Sequence, residues 1–282
     1  MSTAFDDRIV RVGIQIGNEQ FFYDGLDIYA SGEKFASSLK NQCQVRINNL
    51  NKSERDYILK SASPIQRADI KPIFLTLDVG RLSYGTFRLY EGDVFQGGVT
   101  QPPDIGITLY SVTNNFAQAV LSDVSFDGKV DLRIIAQKVA ELNGLVLDYQ
   151  AGERFIRNYS FTGSPDRQIE KLNLMGGVIS FVDNKTLVVL SNEVPRGNVT
   201  RLINAQTGMI GVPQANPAGV TVQVMLDNTI QVGQKVTIKS DINPGADGNY
   251  YVKTMNFELA NRQDPFFFNL FCQNEAYFLG QG

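Results

Sequence analysis

The residue types that most often do chemistry are few in this chain, and they are scattered. Ser37-Ser38-Leu39-Lys40 places serine and lysine at the spacing at which a lysine amine can activate a serine hydroxyl. Two fixed positions recur often by chance, the accompanying Lys-Thr-Gly element is missing, and the segment reads as the start of a strand. No nucleophile is assigned there. Asp241-Ile242-Asn243-Pro244-Gly245-Ala246-Asp247 is rich in oxygen donors, as a calcium loop is. An EF-hand needs glycine at about the sixth loop position and glutamate at about the twelfth. Those positions hold Ala246 and Val252, so the segment reads as a hairpin loop. Glu91, Asp93 and Asp104 supply carboxylates. A glycosidase needs two of them about 5–10 Å apart across a cleft, and nothing in the spacing selects a pair. The glycine patterns that cradle phosphates are missing.

Two absences weigh more. The chain has no histidine and no tryptophan. Without histidine, every Ser-His-Asp, Cys-His and His-metal scheme falls away. The sequence therefore assigns no catalytic residue, no metal ligand and no cofactor, and it reads as a non-enzyme. Instead it holds 22 Asn and 19 Gln among 282 residues. Such a surface can hydrogen-bond widely without strong charge, as in proteins contacted extensively within an assembly.

Net charge is −3, from 26 basic and 29 acidic residues. No Lys/Arg run is long enough to neutralise many phosphates, so specific nucleic-acid binding is not expected. Cys43 and Cys272 are the only cysteines, and both lie in apolar strand contexts that favour buried thiols. A disulfide would require them to be spatial neighbours. The opening Met1-Ser2-Thr3-Ala4-Phe5-Asp6-Asp7 lacks an apolar signal region, and no apolar run is long enough for a membrane span. Synthesis in a cytoplasm is expected.

The elements that must position any site are mostly strands. Val10, Val12, Ile14 and Ile16 alternate with Arg11, Gly13, Gln15 and Gly17, the period of a half-buried strand. Leu26–Ala30, Cys43–Asn48, Ile73–Val79, Thr86–Asp93 and Ile105–Leu109 continue the pattern. Turns are expected at Gly80, Gly85, Gly97-Gly98 and Pro102-Pro103. A short helix over 53–61 is stopped by Pro64. The middle changes character. Asp131 to Asn143 is a helix with an apolar stripe of Leu132, Ile135, Ala136, Val139, Ala140 and Leu142, ended by Asn143-Gly144. A second helix starts at Ser164-Pro165, turns Ile169, Leu172 and Leu174 inward, and ends at Gly176-Gly177. Leu145–Tyr149, Val178–Val182 and Thr186–Leu190 are strands, the last two joined at Asp183-Asn184-Lys185. Val220–Met225, Lys235–Ser240, Tyr250–Leu259 and Phe266–Cys272 return to β. Within Pro265-Phe266-Phe267-Phe268-Asn269-Leu270-Phe271, continuous apolarity implies that both faces are covered, by a barrel core or by another subunit. The fold class is mainly β with an α+β insert: a β-domain over 1–112, an α+β middle domain over 113–195 and a β-domain over 196–282.

That order resembles the baseplate hub proteins of tailed bacteriophages, the tail protein D or late-control family related to the hub part of type VI secretion spikes. Thr207-Gly208-Met209-Ile210-Gly211-Val212-Pro213 resembles the small-residue lead-in to their last barrel. Gly248-Asn249-Tyr250-Tyr251-Val252, followed by Met255 and Phe257, resembles their Gly-x-Tyr-x-Val strand, and Phe266–Cys272 the closing strand. The helix over 131–143 resembles that of their middle domain. The family often has His near Phe257 and Trp near Phe266; here both positions read as core aromatics.

The resemblance implies two β-barrel tube domains flanking the α+β domain, and a homotrimer whose six barrels surround a channel. Such a ring would adapt a sixfold tail tube to a threefold central spike. The implied partners are other copies of the chain, the tube protein, the spike protein and other baseplate proteins, with DNA passing unbound. The implied location is the virion tail baseplate, after synthesis and assembly in the host bacterial cytoplasm. Tyr250, Tyr251, Phe266 and Phe268 are the candidate interface or core residues. Two other readings share the composition: another tail component (a tube-end, wedge or receptor-binding β-protein) or a tail-borne peptidoglycan hydrolase.

Overall fold

The structure is a computed structural model that describes residues 6–63, 65, 72–102, 105–114, 121–191 and 194–274. It is mainly β and divides into two compact units. The first comprises Met1–Glu33, Gln42–Asn115 and Phe257–Phe267; the second comprises Lys34–Asn41, Phe116–Asn256 and Phe268–Gly282.

Seven strands lie between Arg8 and Val112: β1 (Arg8–Ile16), β2 (Glu19–Tyr23), β3 (Ile28–Phe35), β4 (Gln42–Asn48), β5 (Ile73–Arg81), β6 (Gly85–Val99) and β7 (Gly106–Val112). Their order is β3-β4-β7-β6-β5-β1-β2, with antiparallel neighbours throughout. Register places Val12 opposite Leu77 and Val45 opposite Leu109. Val10, Val12, Ile14 and Ile16 are all buried, as the alternation in the sequence requires. Helix α1 (Lys52–Ser61) is capped by Asn51, whose side chain accepts from the Glu54 N–H, and it buries Ile58. Pro64 and Asp104 lie outside the described residues.

Two of the expected glycine turns are not turns. Gly80 lies inside β5, and Gly97-Gly98 lie inside β6. Gly80 and Gly97 are close approaches, whereas Gly98 faces open space: a Cβ at Gly80 would fall on the Gly85 carbonyl, and one at Gly97 would stand 2.8 Å from the Ala62 Cβ, where α1 comes down on the strand.

In the second unit, an α+β segment comes first: β8 (Ser122–Asp131), α2 (Leu132–Leu142), β9 (Val146–Gln150), β10 (Phe155–Gly163), α3 (Pro165–Gly176), β11 (Val178–Asp183) and β12 (Thr186–Ser191). β8 and β10 form an antiparallel ribbon. β11-β12-β9 form a second sheet in which β12 and β9 run parallel. Leu132, Ile135, Ala136, Val139, Ile169, Leu172, Leu187 and Val189 share one core. Asp131 caps α2 through a 2.9 Å bond from the Arg133 N–H. α3 opens on Ser164-Pro165 and closes on left-handed Gly177, as its sequence predicts. Its inward face is a correction. Ile169 and Leu172 are buried, but Leu174 is 81% exposed. At about 100° per residue, Leu174 lies well off the stripe of Ile169 and Leu172.

The same unit continues with β13 (Arg201–Ile203), β14 (Met209–Asn216), β15 (Gly219–Met225), β16 (Lys235–Ile238), β17 (Gly248–Ala260) and β18 (Phe266–Asn274). β14-β15-β18-β17 are neighbours in that order. β16 pairs antiparallel with β17 and parallel with β13. The last residues of β17 and the first of β18 belong to the first unit, where Phe257 packs at Gly32 of β3. Among the described residues, backbone pairing closes neither set of strands into a barrel.

Candidate functional site

The four aromatics singled out in the sequence occupy different surroundings. Tyr250 and Tyr251 are neighbours on β17, so their side chains point to opposite faces of the sheet. Tyr251 is buried, with the Lys235 ammonium over its ring at 5.9 Å. Tyr250 is half-buried and donates to the Ala246 carbonyl at 3.1 Å. Burial, and then the Asp247 carboxylate, push its hydroxyl above the ordinary tyrosine value. Phe268 is fully buried in the second unit. Phe266 is buried in the first, where the Arg8 and Arg81 guanidinium groups lie over its ring at 5.3 and 5.2 Å. β18 alternates rather than being covered evenly. Phe266, Phe268, Leu270 and Cys272 are buried, while Phe267 and Phe271 on the other face are half-buried.

The candidate chemistry is dispersed. Ser37 to Lys40 lies in the loop between β3 and β4, not at the start of a strand, because β4 begins at Gln42. The Ser37 hydroxyl accepts from the Leu39 N–H at 3.4 Å, and Lys40 pairs with Asp166 at 3.3 Å. In the loop between β16 and β17, the Asp247 carboxylate accepts from the Ser240 N–H at 2.7 Å and fastens the turn. Glu91 takes the Arg88 guanidinium at 3.3 Å, and Asp93 is buried. Among the described residues, no cluster of three or more Asp, Glu or Cys side chains could hold a metal ion. Cys43 and Cys272 are buried free thiols, raised above the ordinary thiol range by burial.

Three features have no counterpart in the sequence patterns. The first is a groove of about 200 Å³ on the β2-β1-β5-β6 face. Register sets Phe22, Gly13, Thr76 and Glu91 in one row across these strands. Gly13 lets its neighbours close over the row, since a Cβ there would fall on Thr76 Oγ1 and lie 3.1 Å from the Phe22 ring, and Phe22 remains 63% exposed. The second is the pair of outer strands: β2 pairs only with β1, and β14 only with β15, among the described residues. The third is a buried charge cluster. Asp183 receives Lys34 Nζ at 2.5 Å on one oxygen and an Arg196 guanidinium nitrogen at 2.6 Å on the other. Arg196 Nε also faces Asp148 at 3.7 Å. Burial alone would raise the Asp183 carboxyl, but the two cations outweigh it and hold it below the ordinary carboxylate range. Asp183 is a plain turn residue in the sequence, and its partners stand 149 and 13 positions away; only the second distance is within reach of a local pattern.

Pairwise comparison of the sequence with curated proteins finds no match. A model of the family described as baseplate hub gp41 matches residues 9–272. Among solved structures, a tail protein from Neisseria meningitidis MC58 is similar with a TM-score of 0.66 at 10% identity, covering 96% of this chain and 98% of that one. The 43 kDa tail protein of prophage MuSo2 from Shewanella oneidensis gives 0.63 at 12% identity, over 97% and 98%. The E. coli c3393 protein gives 0.58 at 8% identity, over 92% and 76%. It is a type VI secretion component, itself described as structurally similar to the T4 tail proteins gp27 and gp5. At such identities these likenesses speak for the fold, and the family model speaks for the lineage. With nearly the whole of its length matched, from Ile9 to Cys272, this chain belongs to the baseplate hub gp41 family of phage tail proteins.

Proposed function

We propose that this chain forms the central hub of a tail baseplate: a homotrimeric ring that joins a sixfold tail tube to a threefold spike and leaves a channel for DNA. The family match across both β-rich parts carries the reading. A trimer in which each chain supplies two tube domains presents six similar faces on one side and three on the other, which is the symmetry an adaptor needs. On this reading the chain has three parts, 1–112, 113–195 and 196–282, and the first and last are tube domains. Closure of the first into a barrel is supported by side chains. Arg8 at the start of β1 reaches the Gln263 carbonyl at 2.7 Å and Asp264 at 2.7 Å, beside the Phe266 ring, while β3 at the other end of the strand order meets Phe257.

Among the described residues β2 and β14 each have one strand neighbour, which leaves an edge that a neighbouring subunit can pair with and supports assembly over a free monomer. The partners are then two further copies, the tube protein, the spike protein and other baseplate proteins, in the virion tail. DNA passes without specific contact, in keeping with a net charge of −3. The role is geometric and non-catalytic.

Light scattering on the purified chain, followed by negative-stain imaging, tests this. The expected particle has three times the 31.3 kDa of one chain and a central hole. A hexameric ring, or a chain that stays monomeric even with its spike protein, would overturn it.

A further inference from the structure

The second unit contains two chain segments that touch both its α+β part and its C-terminal strands. One is the segment over 34–41, the end of β3 and the loop that follows it. Asn41 Nδ2 donates to the Val182 carbonyl at 3.0 Å, and Lys40 pairs with Asp166. On its other side, the Ala36 N–H donates to the Lys253 carbonyl at 2.9 Å, and Lys253 Nζ returns to the Ala36 carbonyl at 3.1 Å. The other is the segment around Arg196, just after β12. Its N–H donates to the Gly233 carbonyl at 2.9 Å, and the neighbouring Gly197 N–H reaches Gln150 at 2.9 Å. Gly233 in turn donates to Val252 at 2.8 Å. Each segment sends one cation to the same carboxylate: Lys34 from the first and Arg196 from the second, both onto Asp183.

The burial of this cluster is informative. The side chains of Lys34 and Asp183 are each 8% exposed, and that of Arg196 is 13% exposed. Buried ion pairs repay their desolvation poorly, and apolar side chains of similar volume often stabilise as well or better. Stability alone is therefore a weak reason for these charges to be here. Direction is a better one. Apolar contacts slide at small cost, whereas a carboxylate with two oxygens, each holding its own cation, fixes where both segments must lie.

We infer that Asp183 is the positioning residue that sets the orientation of the α+β part on the C-terminal strands, by locking the 34–41 segment and the Arg196 segment to one point. This lock acts within one chain, whether or not the chain trimerises.

The test compares full-length wild type with the apolar triple variant Lys34→Met/Asp183→Leu/Arg196→Met, using thermal melting and hydrogen exchange. The triple variant is expected to melt close to wild type and to keep the amides of α2 and β12 protected. The amides at the joint, those of Ala36, Arg196, Gly197 and Gly233, are expected to exchange at least about tenfold faster, the mark of local opening. Unchanged exchange at those four amides would overturn the inference, because backbone bonds and apolar packing would then set the orientation unaided. Protection lost evenly across α2 and β12 would also overturn it, because Asp183 would then be a stability residue only. Should the triple variant fail to fold, Asp183→Asn keeps the shape and removes the charge. It is read at the same amides, where faster exchange confined to the four supports the lock and either of the other two patterns overturns it.

Discussion

Asp183 is the residue at which local chemistry departs most from the composition of the chain. Its carboxyl is held below the ordinary value of 3.8 by Lys34 and Arg196, against the opposing effect of burial. A carboxylate depressed on folding adds stability that is present in full above its unfolded value and disappears as pH falls through its folded one. Between about pH 5 and about pH 2, the melting temperature of wild type is therefore expected to fall further than that of the apolar triple variant. Parallel decline of the two would mean that Asp183 contributes no acid-sensitive stability. The four aromatics picked from the sequence behave more simply. Tyr251, Phe266 and Phe268 are buried within the chain, and only Tyr250 keeps an exposed portion. Their apolar flanks made the burial foreseeable, but the two arginines over Phe266 come from positions far off in the sequence.

At the level of elements, helices are the easiest to read, because cap and stripe are both local. Asp131 caps α2, and its stripe forms the centre of the α+β core except for Leu142, which the sequence places on the stripe but which is exposed at the helix end. Asp131→Ala is expected to cost about 1 kcal/mol of stability, read by chemical denaturation, with no change in assembly. A loss several times larger would mean that Asp131 holds more than the helix end. Strands with a regular apolar alternation are equally plain. The strands that are hard to see lack it: β2 reads Glu-Gln-Phe-Phe-Tyr, β8 reads Ser-Asp-Val-Ser-Phe-Asp-Gly-Lys-Val-Asp, and β10 begins Phe-Ile-Arg-Asn. β8 and β10 form a ribbon with one face open to solvent, and a bulge at Asn158, where φ is 51°, interrupts the period of two. β14 is broken between Ile210 and Gln214 in the same way, around Gly211 and Pro213. Patterning fails where register shifts, because one extra residue moves every later side chain to the other face.

For the whole molecule, the decisive fact is that neither unit is one continuous stretch. The first needs Phe257–Phe267 to complete it. Asn261 accepts from the Ile28 N–H at 3.0 Å and donates to the Leu26 carbonyl at 2.7 Å, and Arg262 reaches the Gly25 carbonyl at 2.8 Å. A fragment of residues 1–115 is accordingly expected to lack a cooperative melt by circular dichroism, having lost the partners of β3 and Arg8. A fragment of residues 121–191, which holds its own core of two helices and two small sheets, is expected to melt cooperatively. A sharp transition in the first fragment, or none in the second, would refute this division of the folding units.

The sequence by itself determined the mainly β class, the two long helices of the middle segment, the lack of histidine-based chemistry and the family resemblance that the family match bears out. These follow from composition, short-range period and caps, which act over a few residues. Tertiary structure alone decided that Lys34 and Arg196 would meet on Asp183, that Gly80 and Gly97 would lie inside strands, that Leu174 would face outward, and that the end of β17 would complete the first unit. Each depends on which distant strands pair. Pairing is settled by total burial and backbone hydrogen bonding across the fold, and no local window of residues contains that sum.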